Sequence, residues 1–207
     1  MSSRRDLKRF YALEIDHGSL GLRPPNKHDV PYFCTPVGAE WAGILGVDGV
    51  HFILLPGDER VYAVEPMIME EGRYVLPVAM DFREFLSFVL FCRDASPLSQ
   101  ISWLTEDRFR QLLSEDAAAR WDGCETYFAR KAAALDAITE AFAIQPQAPY
   151  EKVKAMQAAF DPSCLTFSDE YYDVLGLEHP CNTGRKEKKP PYTLFTTLHM
   201  KIEENDS

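Results

Sequence analysis

Two periods of apolar spacing divide this chain. Residues 50–55 (Val-His-Phe-Ile-Leu-Leu) form a short run of β-formers. Pro56-Gly57-Asp58-Glu59 follows, where Pro fixes φ at the second turn position and Gly accepts φ > 0 at the third. Residues 60–64 (Arg-Val-Tyr-Ala-Val) return as a second strand. Two such runs around a Pro-Gly turn predict an antiparallel hairpin. Glu70-Glu71-Gly72 predicts a further turn, and residues 74–80 a third strand. Pro77 lies inside that strand and lacks an N–H, which places it at an edge or beside an irregularity.

The period then lengthens to that of a helix. Asp81 is an N-cap, and Glu84, three residues on, is placed to reach back in a capping box. Met80 and Phe85 occupy the positions of a hydrophobic staple. Phe82, Phe85, Leu86, Val89 and Leu90 share one helical face, which Phe88, Phe91 and Cys92 widen. This helix is expected to be largely buried across the sheet.

Downstream, Thr105 opens a helix to about residue 114 with Phe109, Leu112 and Leu113 inward and a Glu106–Arg110 pair. Asp122 and Glu125 predict a second capping box, with a helix to about residue 143 that buries Phe128, Leu135, Ile138 and Phe142. Residues 145–149 break it. A short helix then carries Val153, Met156 and Phe160 on one face and stops at Asp161-Pro162-Ser163. Residues 168–175 add a turn or two of helix closed by Gly176. Residues 178–191 read as a loop and 192–200 as a last strand. Upstream, residues 6–15 suit a short helix or a strand, 16–31 a loop, 32–36 a strand, and 38–47 an irregular stretch or short strand. The order predicts an α+β fold, an antiparallel-dominated mixed sheet packed by helices. One domain is expected over residues 1–207, with a core at about 30–115 and a helical extension ending in a strand at about 116–207.

Several of these segments carry a family pattern: Gly43-Ile44, the hydrophobic hairpin, Val-Tyr-Ala-Val at 61–64, Val-Leu-Pro-Val-Ala at 75–79 and Asp-Phe-Arg-Glu-Phe-Leu at 81–86. Over about residues 40–115 the chain resembles the SUKH superfamily. That group holds yeast cell-wall regulators of the Smi/Knr type and many bacterial immunity proteins. Its strands end in an alanine followed by a Phe-x-x-Phe-Leu helix, and Ala79, Phe82, Phe85 and Leu86 match. The resemblance implies a mixed sheet with helices on one side. It also implies a protein-binding role in which bacterial members cover toxins, often basic nucleases.

Composition narrows the classes. Hydrophobic residues make up 46% and aromatics 12%, which excludes a disordered chain. The net charge is −10, and residues 31–94 alone carry −6, so the expected sheet core is the most acidic region. An acidic surface disfavours nucleic acid and favours a basic partner. Mild acidity also serves solubility alone. Five cysteines at irregular spacing with no CxxC pair read as reduced and mostly buried, in a cytoplasmic protein. The amino terminus does not read as a signal peptide, and no run approaches the length of a transmembrane helix.

Candidate chemistry is sparse. The chain has no Gly-x-Ser-x-Gly elbow, His-Glu-x-x-His pair or Asp-x-Asp-x-Asp-Gly loop. Gly43, Gly46 and Gly49 lack the following Lys-Ser/Thr and helix of a phosphate loop. His17 and His28 are expected at the surface, and His51 as a satisfied strand residue. In His179-Pro180-Cys181 neighbouring residues seldom give a nucleophile and its base the required geometry. The basic run Arg185-Lys186-Glu187-Lys188-Lys189 reads as a solvated loop. No catalytic residue, cofactor or metal is expected. The expected function is a non-enzymatic binding module, an immunity protein neutralising a basic, nuclease-like toxin. Its partner-binding acids would be Asp48, Asp58, Glu59, Glu65, Glu70 and Glu71. One alternative is an intracellular regulatory scaffold anchored by Trp103, Trp121, Tyr171 or Tyr172. Another is an enzyme with a pocket between the sheet and the carboxy-terminal helices.

Overall fold

The structure is a computed structural model that describes residues 2–45, 49–68 and 73–180. Four strands, β1 (Glu40–Ile44), β2 (His51–Leu54), β3 (Val61–Val64) and β4 (Val75–Ala79), form an antiparallel sheet in the order 1-2-3-4. The helices are α1 (Ser3–Tyr11), α2 (Phe82–Cys92), α3 (Ser96–Gln100), α4 (Glu106–Ala118), α5 (Cys124–Phe142), α6 (Tyr150–Ala158) and α7 (Asp169–Leu175). The α+β class is as expected from the sequence.

The hairpin pairs Leu54 with Val61 and His51 with Val64. Its turn closes through the Asp58 N–H, which donates to Leu55 O at 3.2 Å, with Gly57 at φ 74°. β4 is an edge strand, where the missing N–H of Pro77 leaves no interior ladder broken. Every residue of β2 and β3 is buried, because both faces of the sheet are covered. One face carries Phe52, Leu54, Val61, Ala63 and Val78 against α1, α2, α3 and α5. The other carries Ile53, Tyr62, Val64 and Val75, covered by Cys34, Phe160, Phe167 and Tyr171. Leu135, Ile138 and Phe142 of α5 and Val153 of α6 join the first cluster, so the helices after residue 116 pack into the core that the sheet begins.

α2 follows its sequence signals closely. Asp81 Oδ1 accepts from the Glu84 N–H at 2.8 Å, and Glu84 Oε2 reaches back to the Met80 N–H at 2.8 Å, one residue earlier than the usual box. Phe82, Phe85, Leu86, Phe88, Val89, Leu90 and Cys92 are buried. Met80 is 57% exposed and does not close the expected staple, and Phe91 lies outside the buried face. The helix stops at Arg93, which takes the left-handed conformation at φ 61°.

Other segments differ from expectation. Residues 32–36 form a turn rather than a strand, with the Thr35 N–H donating to Tyr32 O at 2.8 Å. Pro97, a residue that ends a helix as readily as it opens one, here lies in the first turn of the short helix α3. Asp122 does not cap α5. The residue before that helix is Gly123 at φ 77°, a conformation that reverses the chain with no side-chain cap. Gly21, at φ 66°, marks a close approach, because a Cβ there would lie 2.8 Å from both Asp94 Oδ1 and Leu45 Cδ2. This contact brings the 3₁₀ turn His17–Leu20 against the start of α3, where the Ala95 N–H donates to Leu20 O at 2.9 Å. The expected turn at 70–72 and the expected strand at 192–200 fall outside the described residues.

Candidate partner-binding groove

An open, mostly apolar groove of about 750 Å³ runs along α1. One wall is α1, through Leu7, Lys8, Tyr11 and Ala12. The opposite wall is the loop that carries Pro24, Pro25, Asp29 and Pro31, and Glu40 and Trp41 of β1 form its floor.

Each wall is held by specific bonds. Leu7 and Phe10 point into the core, which turns Lys8 and Tyr11 sideways along α1. The Tyr11 hydroxyl donates to Ala42 O at 2.8 Å and ties the helix to β1, and burial raises the phenol well above its ordinary pKa. The loop is clamped by a two-point ion pair. Arg23 Nη1 donates to Asp29 Oδ2 at 2.9 Å and Nη2 to Oδ1 at 2.8 Å. Asn26 N–H adds a bond to Asp29 Oδ2 at 2.7 Å. The Arg23 hydrogen bonds hold the Asp29 carboxyl at about 2. The Arg23 backbone pairs with Ile44 of β1 in both directions. The loop's base is therefore joined to the sheet although its prolines face solvent.

Below the groove, Trp41 stacks on His51 with ring centroids 4.4 Å apart, and Tyr32 stacks on the same imidazole at 5.7 Å. His51 is fully buried. Burial lowers its pKa and keeps the ring neutral, against the opposing bond to Gly49. The arrangement fits a proton on Nδ1, donated to Gly49 O at 2.7 Å, with Nε2 accepting from the Thr35 hydroxyl at 3.2 Å. His51 is thus a satisfied strand residue that fixes the plane of Trp41.

Of the six acids expected to bind a partner, Asp48, Glu70 and Glu71 fall outside the described residues. Asp58 and Glu59 sit together at one end of β3, and Glu65 follows the other end. Asp58 is engaged internally. Its carboxylate accepts from Arg60 Nη2 at 2.7 Å and from the Tyr62 hydroxyl at 2.6 Å. Partial burial opposes its ionisation, but the bonds from Arg60 and Tyr62 outweigh that effect and hold it at about 2. Glu59 accepts from the Ser3 N–H, and its backbone oxygen accepts from the Ser3 hydroxyl at 2.6 Å. Glu65 is partly buried, and desolvation pushes its carboxyl up to about 7.

The Asp58 geometry has a measurable consequence. Its folded-state pKa lies below the unfolded value, so its contribution is present above about pH 4 and is lost as pH falls towards 2. Asp58→Asn should lower stability by about 1–2 kcal/mol at neutral pH, discounted for partial exposure, and by almost nothing near pH 2. Urea unfolding of both proteins across that range checks it. An equal difference at both pH values would mean that the ion pair is not the source.

The remaining candidates are placed as follows. Trp103 is 58% and Trp121 51% exposed, whereas Tyr171 of α7 is buried against the second face of the sheet. Trp121 packs with Tyr127 and Phe128. His17, expected at the surface, is half-buried with Nε2 3.1 Å from Phe10 O, whereas His28 is exposed. His179 lies between Asp173 and Asp169, at 3.1 and 3.3 Å, and the Asp173 bond leads in raising its pKa. Burial pushes the Cys34 thiol up to about 12, away from thiolate chemistry. Among the described residues, no group of three or more His, Cys, Asp or Glu could hold a metal ion, and no helix is long and apolar enough to cross a membrane.

The groove itself is not a sequence motif. Its only local signal is the cluster of prolines between Arg23 and Tyr32, and its shape depends on Tyr11 meeting Ala42. Comparison with known proteins gives no match to any family model, curated protein or solved structure.

Proposed function

We propose that this chain is a non-enzymatic protein-binding module that takes an extended apolar segment of a partner polypeptide in the groove between α1 and residues 24–31. The lining of that groove carries the reading. Trp41, Tyr11 and three prolines present flat apolar faces to solvent, backed by the His51 stack and the Arg23–Asp29 clamp. Rigid rings lose little conformational freedom when a partner covers them, which makes such a surface efficient in binding. Lys8 on the α1 wall and Glu40 on the floor can fix the direction of the bound segment.

Neutralisation of a basic, nuclease-like toxin is the finer form of this proposal. The net charge of −10 supports it through long-range attraction. Residues 161–180 contain five acids and no Lys or Arg. Asp169, Glu170 and Asp173 of α7 are exposed there. This helix, more than the hairpin acids engaged with Arg60 and Ser3, offers charge for a basic partner.

Ala12 is exposed in the groove wall, and an arginine there would fill the groove without entering the core. The tagged wild-type chain and Ala12→Arg should be compared for proteins retained from the native host at low salt, with circular dichroism confirming that both fold. A partner held by the wild type should fall about tenfold or more with Ala12→Arg. Its retention should also weaken as salt rises. Equal retention by both chains would remove the groove as the contact.

A further inference from the structure

β1 is one edge of the sheet, and among the described residues its outer side pairs with another backbone only at Ile44. There the Arg23 N–H donates to Ile44 O at 3.2 Å and the Ile44 N–H to Arg23 O at 3.0 Å. The next residues of the loop, Pro24 and Pro25, carry no N–H and cannot continue that ladder. The Tyr11 hydroxyl already donates to Ala42 O, which leaves Glu40 and Trp41 as the open part of the edge. These two residues are also the floor of the groove. The groove straddles the edge, because Leu7 and Tyr11 of its α1 wall belong to the cluster on one face of the sheet and Trp41 to the cluster on the other. Its charged groups differ in engagement. Glu40 pairs with Arg4 at 3.1 Å and Asp29 with Arg23 at 2.8 Å. Lys8 on the α1 wall and Lys27 on the loop are exposed and have no ion-pair partner among the described residues. Residues 1–30 hold six bases and four acids, in a chain of net charge −10.

We propose that the segment taken by the groove adds to β1 as a further strand and carries an acidic side chain for Lys8. Such pairing presupposes that the groove is the contact, and specifies the chemistry of what it takes. Alternate residues of an edge strand turn both main-chain groups outward, so an extended chain gains hydrogen bonds there as well as apolar cover. Side chains of the added strand alternate between the two faces, one set reaching the α1 wall and the other Trp41. A proline-rich segment, which also suits aromatic grooves, lacks the N–H groups for this pairing. With Glu40 and Asp29 each neutralised by an arginine, the charge left to select a partner residue is that of Lys8 and Lys27. One acidic residue in the segment is compatible with a partner that is basic overall.

The test is selection of random ten-residue peptides on the full chain, with Ala12→Arg as the counter-selection and circular dichroism confirming that each variant folds. Peptides recovered on the wild type alone should alternate β-branched or aromatic residues with others, carry Asp or Glu, and contain no internal proline. A recovered peptide, resynthesised with alternate amide nitrogens methylated on the face that pairs, should bind about tenfold or more weakly through loss of main-chain hydrogen bonds. Lys8→Glu should weaken the unmodified peptide about fivefold, by an amount that shrinks as salt rises. Peptides that need the open groove yet are proline-rich, or bind equally after methylation on either face, or bind Lys8→Glu as well as the wild type, overturn the proposal and leave the groove as the contact. Peptides recovered equally on Ala12→Arg overturn it together with the groove, and recovery of none overturns the strand pairing.

Discussion

Phe85→Ala is expected to cost about 3–5 kcal/mol of folding stability, the range for deleting a buried aromatic ring. Phe85 is fully buried on the face of α2 that meets the sheet. Its ring lies 4.9 Å from Phe52 of β2 and 5.7 Å from Phe82 one turn back. The substitution removes contacts to both the strand and the helix, and the hairpin beneath cannot move up to close the space without breaking its register. Phe91→Ala removes a ring of the same size from the same helix, but Phe91 is 42% exposed, so about 1 kcal/mol or less is expected. Urea unfolding of the three proteins separates the cases, with the midpoint shifting and the slope unchanged. Equal small losses for both variants would mean that α2 does not pack on the sheet through this face.

Glu65→Gln is expected to stabilise the protein at alkaline pH and to leave it unchanged in acid. Glu65 follows β3, its backbone N–H donates to Tyr74 O at 2.8 Å, and burial alone pushes its carboxyl up to about 7. The folded state therefore binds this proton more tightly than the unfolded chain, whose value is near 4.3. The associated stability is fully present below about pH 4 and is lost as pH rises through 7. A difference of about two to three pKa units corresponds to roughly 3 kcal/mol, and residual solvent contact reduces this to about 2. At about pH 8 the glutamine variant should then be more stable by that amount, and at about pH 4 the two should coincide. Thermal unfolding across this range measures it. A variant less stable at pH 8 would show that the ionised carboxylate has a favourable partner in the folded state. For binding, Glu65 adds negative charge only above neutrality, so it cannot be a constant member of an acidic contact face.

The parts of the fold that could be read from the sequence are those set by neighbouring residues. The Pro56-Gly57 turn, the burial of β2 and β3, the edge or irregularity expected at Pro77 and the Asp81 cap all follow from local chemistry, and the structure contains them. The parts that were not readable depend on distant contacts. α1 was ambiguous because two short apolar periods fit residues 6–15 equally well, and only packing of Leu7 and Phe10 under the sheet decides it. Asp122 met the rule for a cap, yet Gly123 offered the chain a sharper reversal that the rule does not weigh. The hairpin acids were visible as charge, but the direction of Asp58 towards Arg60 and Tyr62 was not. The groove joins α1, β1 and the proline loop through Tyr11–Ala42 and Arg23–Ile44, pairs separated by twenty or more residues.

Hydrogen exchange of the full chain, alone and with the partner it retains, tests the binding role most directly. Occupation of the groove should slow exchange in residues 7–12, 23–31 and 40–44 and leave α5 unchanged. Protection confined to α7 or to the Trp121 cluster, with those three segments exchanging as in the free chain, would contradict the groove as the binding surface.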